Sequence, residues 1–355
     1  MSKYWSKLAA SLEPYVPGEQ PKDRKYIKLN TNENPYPPSP RVTEAIRKAA
    51  NESLKLYPDP NGDELRTTIA TYYGLKKEQV FFGNGSDEVL AFSFMAFFDP
   101  DRPILFPDVT YSFYPVYAEL FKISYKLINL NDDFTLPIEQ FFRENGGIIF
   151  PNPNAPTGNV ISLEEIEEIL LHNQDQIVII DEAYIDFGGE SAVKLIDKYS
   201  NLLIIQTLSK SRCLAGLRVG LALGREELIK ALDTIKNSIN SYTLDRLALI
   251  GAAEAFRDDQ YFQTSREKII ITREKVIGEL RKIGFKVIPS KSNFVFISHP
   301  SVTAGEIYQE LKEKSILVRY FKKPRIDNYL RVSIGSNEEM DVFLETVKRI
   351  VSQRT

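Results

Sequence analysis

The chain predicts an α/β fold: a mostly parallel central sheet with helices on both faces, a smaller α+β C-terminal lobe and an N-terminal arm. Three observations carry this. Short apolar runs bounded by Pro or Gly recur, as in Pro103-Ile104-Leu105-Phe106 and Gly147-Ile148-Ile149-Phe150, the look of buried parallel strands. Helical patterns alternate with these runs, which is the order that yields a parallel sheet covered by helices. After about residue 260 the texture changes, and strand-like segments follow one another closely.

Taken in order, residues 1–40 read as an irregular arm rich in Pro, Asn and charge, with little of its own to pack. Residues 42–54 look helical, and so do 63–73. A short strand at 79–82 leads into the turn Gly83-Asn84-Gly85-Ser86-Asp87-Glu88, which opens an apolar helix over 89–98. Strands are expected at 103–106, 147–150, 177–180, 202–206 and 219–223. Between them lies a helix at 162–172, where Ser162 and Glu165 have capping-box spacing. A helix at 225–233 follows, then a long charged amphipathic helix from about Thr264 to Ile283. The C-terminal stretch reads as strands at 285–288, 293–297, 317–320 and 329–333, a helix at 304–314, and a last helix capped by Asn337 and running to Ile350. The division is therefore an arm at 1–40, a large domain at 41–262 and a small α+β domain at 263–355.

Composition excludes several function classes. The net charge of −3 gives no basic balance suited to nucleic acid. One cysteine, Cys213, rules out an intrachain disulfide and suits a reducing, cytoplasmic compartment. His172 and His299 are far apart and lack metal-ligand spacing, so neither His-based chemistry nor a metal is expected. No run of about 18 apolar residues suggests a membrane span, and the first residues lack the apolar region of a signal peptide.

Open parallel sheets bind ligands at the carboxyl ends of their strands, and the chemically suggestive residues fall there. Lys210 follows the apolar run at 201–205, with Thr207 and Ser209 beside it and Arg218 eight residues on. An amine in that position can hold an aldehyde cofactor covalently while its neighbours hold that cofactor's phosphate. Pyridoxal 5′-phosphate is such a cofactor, and its enzymes pair the lysine with an acid for the pyridine nitrogen. Asp181, at the end of Ile177-Val178-Ile179-Ile180, offers that acid. Gly85, Ser86 and Asp87 open a helix, whose free N–H groups and dipole suit a phosphate. Ser86, Thr207, Ser209 and Arg218 can share that dianion, Arg218 through a forked charge. Tyr111 can stack on a flat ring, and Tyr184 can hydrogen-bond its O3′. Lys210 then shuttles a proton once substrate releases it.

With these residues in view, the chain resembles the fold-type I aminotransferases of classes I and II that depend on pyridoxal phosphate. The general signature is Asn-Ala-Pro-Thr-Gly at 154–158, Asp-Glu-Ala-Tyr at 181–184 and Ser-Lys…Gly-Leu-Arg at 209–218. Within them it is similar to the histidinol-phosphate aminotransferases, through Glu-Pro-Tyr-Val-Pro-Gly-Glu (13–19), Leu-Asn-Thr-Asn-Glu-Asn-Pro (29–35), Leu-Tyr-Pro-Asp-Pro (56–60), Val-Arg-Tyr-Phe (318–321) and Tyr-Leu-Arg-Val-Ser-Ile-Gly (329–335). The resemblance implies transamination between histidinol phosphate and 2-oxoglutarate in a homodimer with shared active sites, the arm packing on the small lobe or the partner. Tyr57 is then expected to reach the partner's cofactor phosphate, and Tyr15 to close over substrate, also from the partner. Asn32, Arg319 and Arg331 are expected at the substrate site. Arg331 also stands out by itself: flanked by Leu330 and Val332 in a strand, it alternates onto one face, and a buried Arg there needs an anion.

One departure is plain. The family turn usually reads Asn-Asn-Pro-Thr-Gly, and its second Asn contacts the ring O3′; here that position is Ala155. Either Asn154 or Tyr184 alone takes the contact over, or the contact is lost; Asn154 is the residue expected to take it. Two other activities share much of this signature: a lyase resembling threonine-phosphate decarboxylase of cobalamin synthesis, and an aromatic amino acid aminotransferase. A cofactor-binding transcription regulator would need an added DNA-binding module, for which no room remains.

Overall fold

The computed structural model describes residues 3–15 and 18–354, so Val16 and Pro17 of the 13–19 motif lie outside the described residues. The arm is less irregular than its composition suggests. It contributes β1 (Ile27–Leu29), which pairs parallel with a strand of the C-terminal lobe and buries Leu29 in that lobe's core.

Among the described residues, the central sheet has seven strands: β2 (Val80–Asn84), β3 (Ile104–Pro107), β4 (Tyr125–Ile128), β5 (Ile148–Pro151), β6 (Val178–Asp181), β7 (Leu202–Thr207) and β8 (Val219–Gly224). Their order is β2-β8-β7-β6-β5-β3-β4. Strands β5 to β8 are buried along their whole length, which is why they read as unbroken apolar runs. The sheet is parallel from β7 to β4, but β8 runs against both of its neighbours. The carboxyl ends of β2, β3, β5, β6 and β7 therefore share one rim with the amino end of β8. That reversal brings Arg218, the residue before β8, to the same edge as Lys210.

The second sheet uses β1 with β9 (Lys286–Ile288), β10 (Phe294–Ser298), β11 (Ile316–Tyr320) and β12 (Leu330–Ser333), in the order β1-β11-β12-β10-β9. Only the β1–β11 pair is parallel. The lobes meet around the long helix Asp259–Lys282, which begins before the expected boundary at 263. From it Arg273, fully buried, donates to the Phe187 and Ser292 carbonyls at 2.7 and 2.9 Å. This clamps the segment carrying Tyr184 onto the small lobe.

Several local expectations change. The 42–54 helix is two pieces, Pro40–Ala49 and a short 3-10 turn Glu52–Lys55, because the Asn51 side chain accepts from the Ser53 N–H and restarts the chain. Ser336, not Asn337, caps the last helix, in a capping box with Glu339. The helix after β8 runs over Glu226–Ile239. Strand β4 is not marked in the sequence, since it lies at the sheet edge with Lys126 and Leu127 both exposed and lacks a buried apolar run. Helix Phe113–Phe121 carries Pro115 in its first turn, where the missing N–H costs nothing.

Candidate active site

The rim holds a cavity of about 160 Å³. Ser86, Asp87, Tyr111, Asp181, Tyr184, Thr207, Ser209, Lys210 and Arg218 line it from the large domain. The arm adds Tyr15 and Asn32, and the small lobe adds Arg319 and Arg331. Most residues singled out in the sequence thus converge on one chamber.

One wall is built to receive an anion. Helix Gly85–Phe97 starts directly at the end of β2, and Ser86 and Asp87 of its first turn line the cavity, while the Gly85 N–H is taken by the Arg218 carbonyl at 2.9 Å. Arg218 lies across this helix start, and its Nη1 is 3.5 Å from Ser209 Oγ. Two glycines make the approach possible. A Cβ on Gly85 (φ +76°) would fall 2.3 Å from Arg218 Nη2, and one on Gly220 would fall 2.3 Å from Ser86 N. Thr207 and Ser209 add hydroxyls 3.0 Å apart. Asp87 faces the arginine, accepting from Arg218 Nη2 at 3.1 Å and from the Tyr111 hydroxyl at 2.7 Å.

The deep end carries Asp181, only 4 % exposed. Burial pushes its carboxyl up to about 6, against the pull of the Ala183 N–H and the Tyr114 hydroxyl, both donors at 3.1 Å. A buried carboxylate of this kind is stabilised by a cation or a protonated heterocyclic nitrogen placed beside it. Tyr114 is not among the site residues expected from the sequence, where it reads only as one of the aromatic residues at 111–117. Glu182, which could pass for part of a helix N-terminus, is instead a buried hub. Ser191 Oγ, the Ala192 N–H and Gln206 Nε2 donate to it at 2.6, 2.7 and 2.9 Å, and burial raises its carboxyl to about 7.

Lys210 Nζ enters between these ends. It donates to the Thr31 carbonyl at 3.2 Å and lies 5.9 Å from the Tyr184 ring centre. Asn34, also unremarked in the sequence, donates to the Lys210 carbonyl at 3.0 Å and anchors the lysine's backbone to the arm.

Two expectations come out differently. Asn154 does not reach this cavity; it lines a smaller one behind the turn, while Ala155 faces the main chamber. Its amide donates to the Val109 carbonyl and to Thr157 Oγ1 at 3.1 and 2.8 Å, which turns it away from any ring in the site. Tyr15 lines the cavity of its own chain, stacked at 4.3 Å on Phe113, because β1 ties the arm to the same chain's small lobe. Tyr57, expected to reach a partner's site, is 79 % exposed, stacked at 4.6 Å on Tyr242 and outside the cavity of its own chain.

The donor set fits pyridoxal phosphate: a phosphate cradle at one end, a buried carboxylate at the other, an aromatic wall in Tyr111, and one primary amine between them. Among the described residues no His, Cys, Asp and Glu grouping suits a metal ion, and no helix is long and apolar enough to cross a membrane.

Comparisons with known proteins agree with this geometry. A family model described as aminotransferase class I and II matches residues 24–347. Histidinol-phosphate aminotransferase of Clostridium acetobutylicum is 62% identical over 352 residues, covering 99% of this chain and 100% of that one. Its counterpart in Clostridium beijerinckii is 60% identical, covering 99% and 98%. Among solved structures, a histidinol-phosphate aminotransferase from Clostridium acetobutylicum superposes with a TM-score of 0.86 at 26% identity, covering 92% of this chain and 99% of that one. One from Sinorhizobium meliloti, in complex with pyridoxal-5′-phosphate, gives 0.90 at 22% identity, covering 100% and 99%.

Proposed function

The chain belongs to the aminotransferase class I and II family, and from that premise we propose that it exchanges an amino group between histidinol phosphate and 2-oxoglutarate. The products are imidazole-acetol phosphate and glutamate, a step of L-histidine biosynthesis. It is an enzyme that depends on pyridoxal 5′-phosphate. When bound, that group supplies an aldehyde to carry the amine and a ring that accepts the electron pair left on the substrate carbon.

The chain's own residues would divide the work as follows. Ser86, Asp87, Thr207, Ser209 and Arg218 hold the cofactor phosphate, through the helix N-terminus, hydroxyls and a guanidinium, and Gly85 leaves room for Arg218 beside it. Tyr111 covers the ring. Asp181 holds a proton on the ring nitrogen. Lys210 anchors the aldehyde carbon covalently and, once displaced by substrate, moves a proton at the substrate carbon.

One observation carries the choice of substrate. Arg319 and Arg331 are direct cross-strand partners in β11 and β12, and both line the cavity. Like charges placed opposite one another on a sheet are destabilising. Arg331 is also desolvated: its Nη2 donates to the Asn30 carbonyl at 3.2 Å, but its buried Nε has no acceptor among the described residues. Such a pair calls for an anion at the guanidinium groups. The phosphate of histidinol phosphate answers that, and so does the distal carboxylate of glutamate. Tyr15 closes the same end.

An amino-donor panel tests the proposal. The loaded enzyme's visible absorption is expected to convert rapidly with histidinol phosphate and glutamate, and slowly with phenylalanine. Conversion by phenylalanine alone would favour an aromatic aminotransferase. Release of CO2 from threonine phosphate without 2-oxoglutarate would favour the lyase.

The proposal includes a homodimer in the cytoplasm. Leu54, Leu56, Tyr57, Ile239 and Tyr242 are exposed apolar or aromatic side chains around the Tyr57–Tyr242 stack, as at a surface meant for another protein chain. Tyr57 would reach the partner's cofactor phosphate from there. Sedimentation velocity is expected to give a species of two 40.6 kDa chains; a monomer with full activity would contradict shared sites.

A further inference from the structure

We infer that Asn32 is a positioning residue for Tyr184: its amide donates to the tyrosine hydroxyl and so turns that hydroxyl's own proton into the cavity, towards the cofactor's 3-oxygen, the contact that Ala155 does not supply. The inference rests on the cofactor reading of this cavity. The sequence had put Asn32 beside the substrate instead.

The argument is one of donors and acceptors. Asn32 is 1 % exposed and Ser333 is 2 % exposed, so water is not available to satisfy them. The Asn32 backbone N–H donates to Ser333 Oγ at 2.9 Å, so that oxygen is an acceptor there. The Ser333 hydroxyl hydrogen then goes to Asn32 Oδ1, also at 2.9 Å. This fixes the orientation of the amide, because turning it over would leave the serine hydrogen with no acceptor among the described residues. With Oδ1 engaged by Ser333, it is Nδ2 that meets Tyr184 Oη, at 2.9 Å. The tyrosine oxygen therefore accepts, and its hydrogen is free to be given to something else. Tyr184 lines the cavity beside Lys210, so that hydrogen points to the ligand.

The backbone supports the same assignment. Asn32 has φ +55°, a left-handed conformation that Asn tolerates better than other side chains carrying a Cβ. Its carbonyl accepts from Asn293 Nδ2 at 2.9 Å. The residue is thus pinned to the small lobe at its N–H, its carbonyl and its Oδ1, and extends one hydrogen bond to the large domain. Ala155 fills the family's Asn position with a methyl group, which leaves Tyr184 as the donor that geometry provides.

The test uses the cofactor-loaded enzyme and reads the pH at which the bound cofactor's visible absorption changes. It also reads cofactor affinity, by reconstituting the cofactor-free protein. A donor to the 3-oxygen favours its anionic form. Asn32→Asp keeps the volume but only accepts, so Tyr184 would donate to it and the cavity would lose its donor. The absorption midpoint is expected to rise by about one pH unit and affinity to fall. Ser333→Ala, which adds no charge, frees the amide to turn and is expected to give a smaller rise. Tyr184→Phe is expected to give a rise like that of Asn32→Asp. The decisive result is non-additivity: in the Tyr184→Phe background, Ser333→Ala adds no further shift. The charged groups around the cavity, Asp87, Asp181, Lys210, Arg218, Arg319 and Arg331, are common to all variants. Additive shifts, or an unmoved midpoint in both Asn32→Asp and Ser333→Ala, would overturn the inference. If Asn32→Asp does not fold, the Ser333→Ala and Tyr184→Phe pair decides alone. A wild-type chain that takes up no cofactor overturns the cofactor reading and this inference with it, whereas a loaded enzyme with additive shifts overturns only the inference.

Discussion

Lys210→Ala is expected to lower transamination turnover at least about a thousandfold, measured as glutamate formed from histidinol phosphate and 2-oxoglutarate. The cavity offers no substitute. Among its described lining residues Lys210 is the one primary amine, and the other cations, Arg218, Arg319 and Arg331, are guanidinium groups that stay protonated. Neither histidine is near: His172 stacks at 3.9 Å on Phe142, and His299 packs at 5.1 Å against Phe285. Tyr184 carries a hydroxyl, but its oxygen already accepts from Asn32 Nδ2 at 2.9 Å. The loss would not come from unfolding. Nζ makes a hydrogen bond to the Thr31 carbonyl at 3.2 Å, and alanine forfeits about 1 kcal/mol there. The variant is therefore expected to melt within a few degrees of the parent, and Lys210→Arg, which restores charge but not a nucleophilic amine, should stay as inactive. Near-normal turnover in either variant would remove Lys210 from the centre of the mechanism.

What made this lysine legible is that its address is local. It closes a buried apolar run, and Asp181 closes another, so a strand pattern and a strand end were enough to place both on one rim. The phosphate cradle was legible for the same reason, as a glycine turn running into an apolar helix. Tyr114 was not, because its importance lies in touching Asp181 from a helix that a proline obscured. Ser333 shared the strand and the face of Arg331 two residues earlier, and alternation applied once more would have aimed it inward too. Asn154 was misassigned for a different reason. Neighbouring positions of a turn differ in direction, and only the backbone path decides that Ala155 faces the chamber while the asparagine turns behind it. Tyr15 shows a third limit: a linear pattern does not say where an arm packs, and the pairing of β1 with β11, far apart in sequence, exists only in the folded chain.

Asp181→Asn is expected to act in opposite directions on catalysis and on the cofactor-free fold. In the loaded enzyme the carboxylate holds a proton on the ring nitrogen, and an amide cannot match a charge there. Loss of one preorganised electrostatic partner in a dry site costs about a hundred- to a thousandfold in rate, so turnover should fall by that order. In the cofactor-free protein the same carboxylate is a burden. Its folded value is raised to about 6, mainly by burial, from an ordinary 3.8. Below the lower value both folded and unfolded chains carry the proton, and Asp181 has no effect on stability. As pH rises through this window the unfolded chain gives up its proton first, so stability drains away until about pH 6 and the full penalty persists above it. The shift corresponds to roughly 3 kcal/mol. Asn carries no such titration, while Tyr114 can still donate to its oxygen. The Tm of the cofactor-free variant, measured against the cofactor-free parent, should therefore climb in the variant's favour between pH 4 and pH 6 and then level off. Subtracting the parent removes every other titrating group, and the lost second acceptor enters only as a constant offset. Loading the parent with cofactor should abolish the slope, because a protonated ring nitrogen beside Asp181 stabilises its charge. A slope that survives loading would mean that the ring nitrogen and this carboxylate do not meet, and a slope of the opposite sign in the cofactor-free pair would mean that burial does not raise this carboxyl.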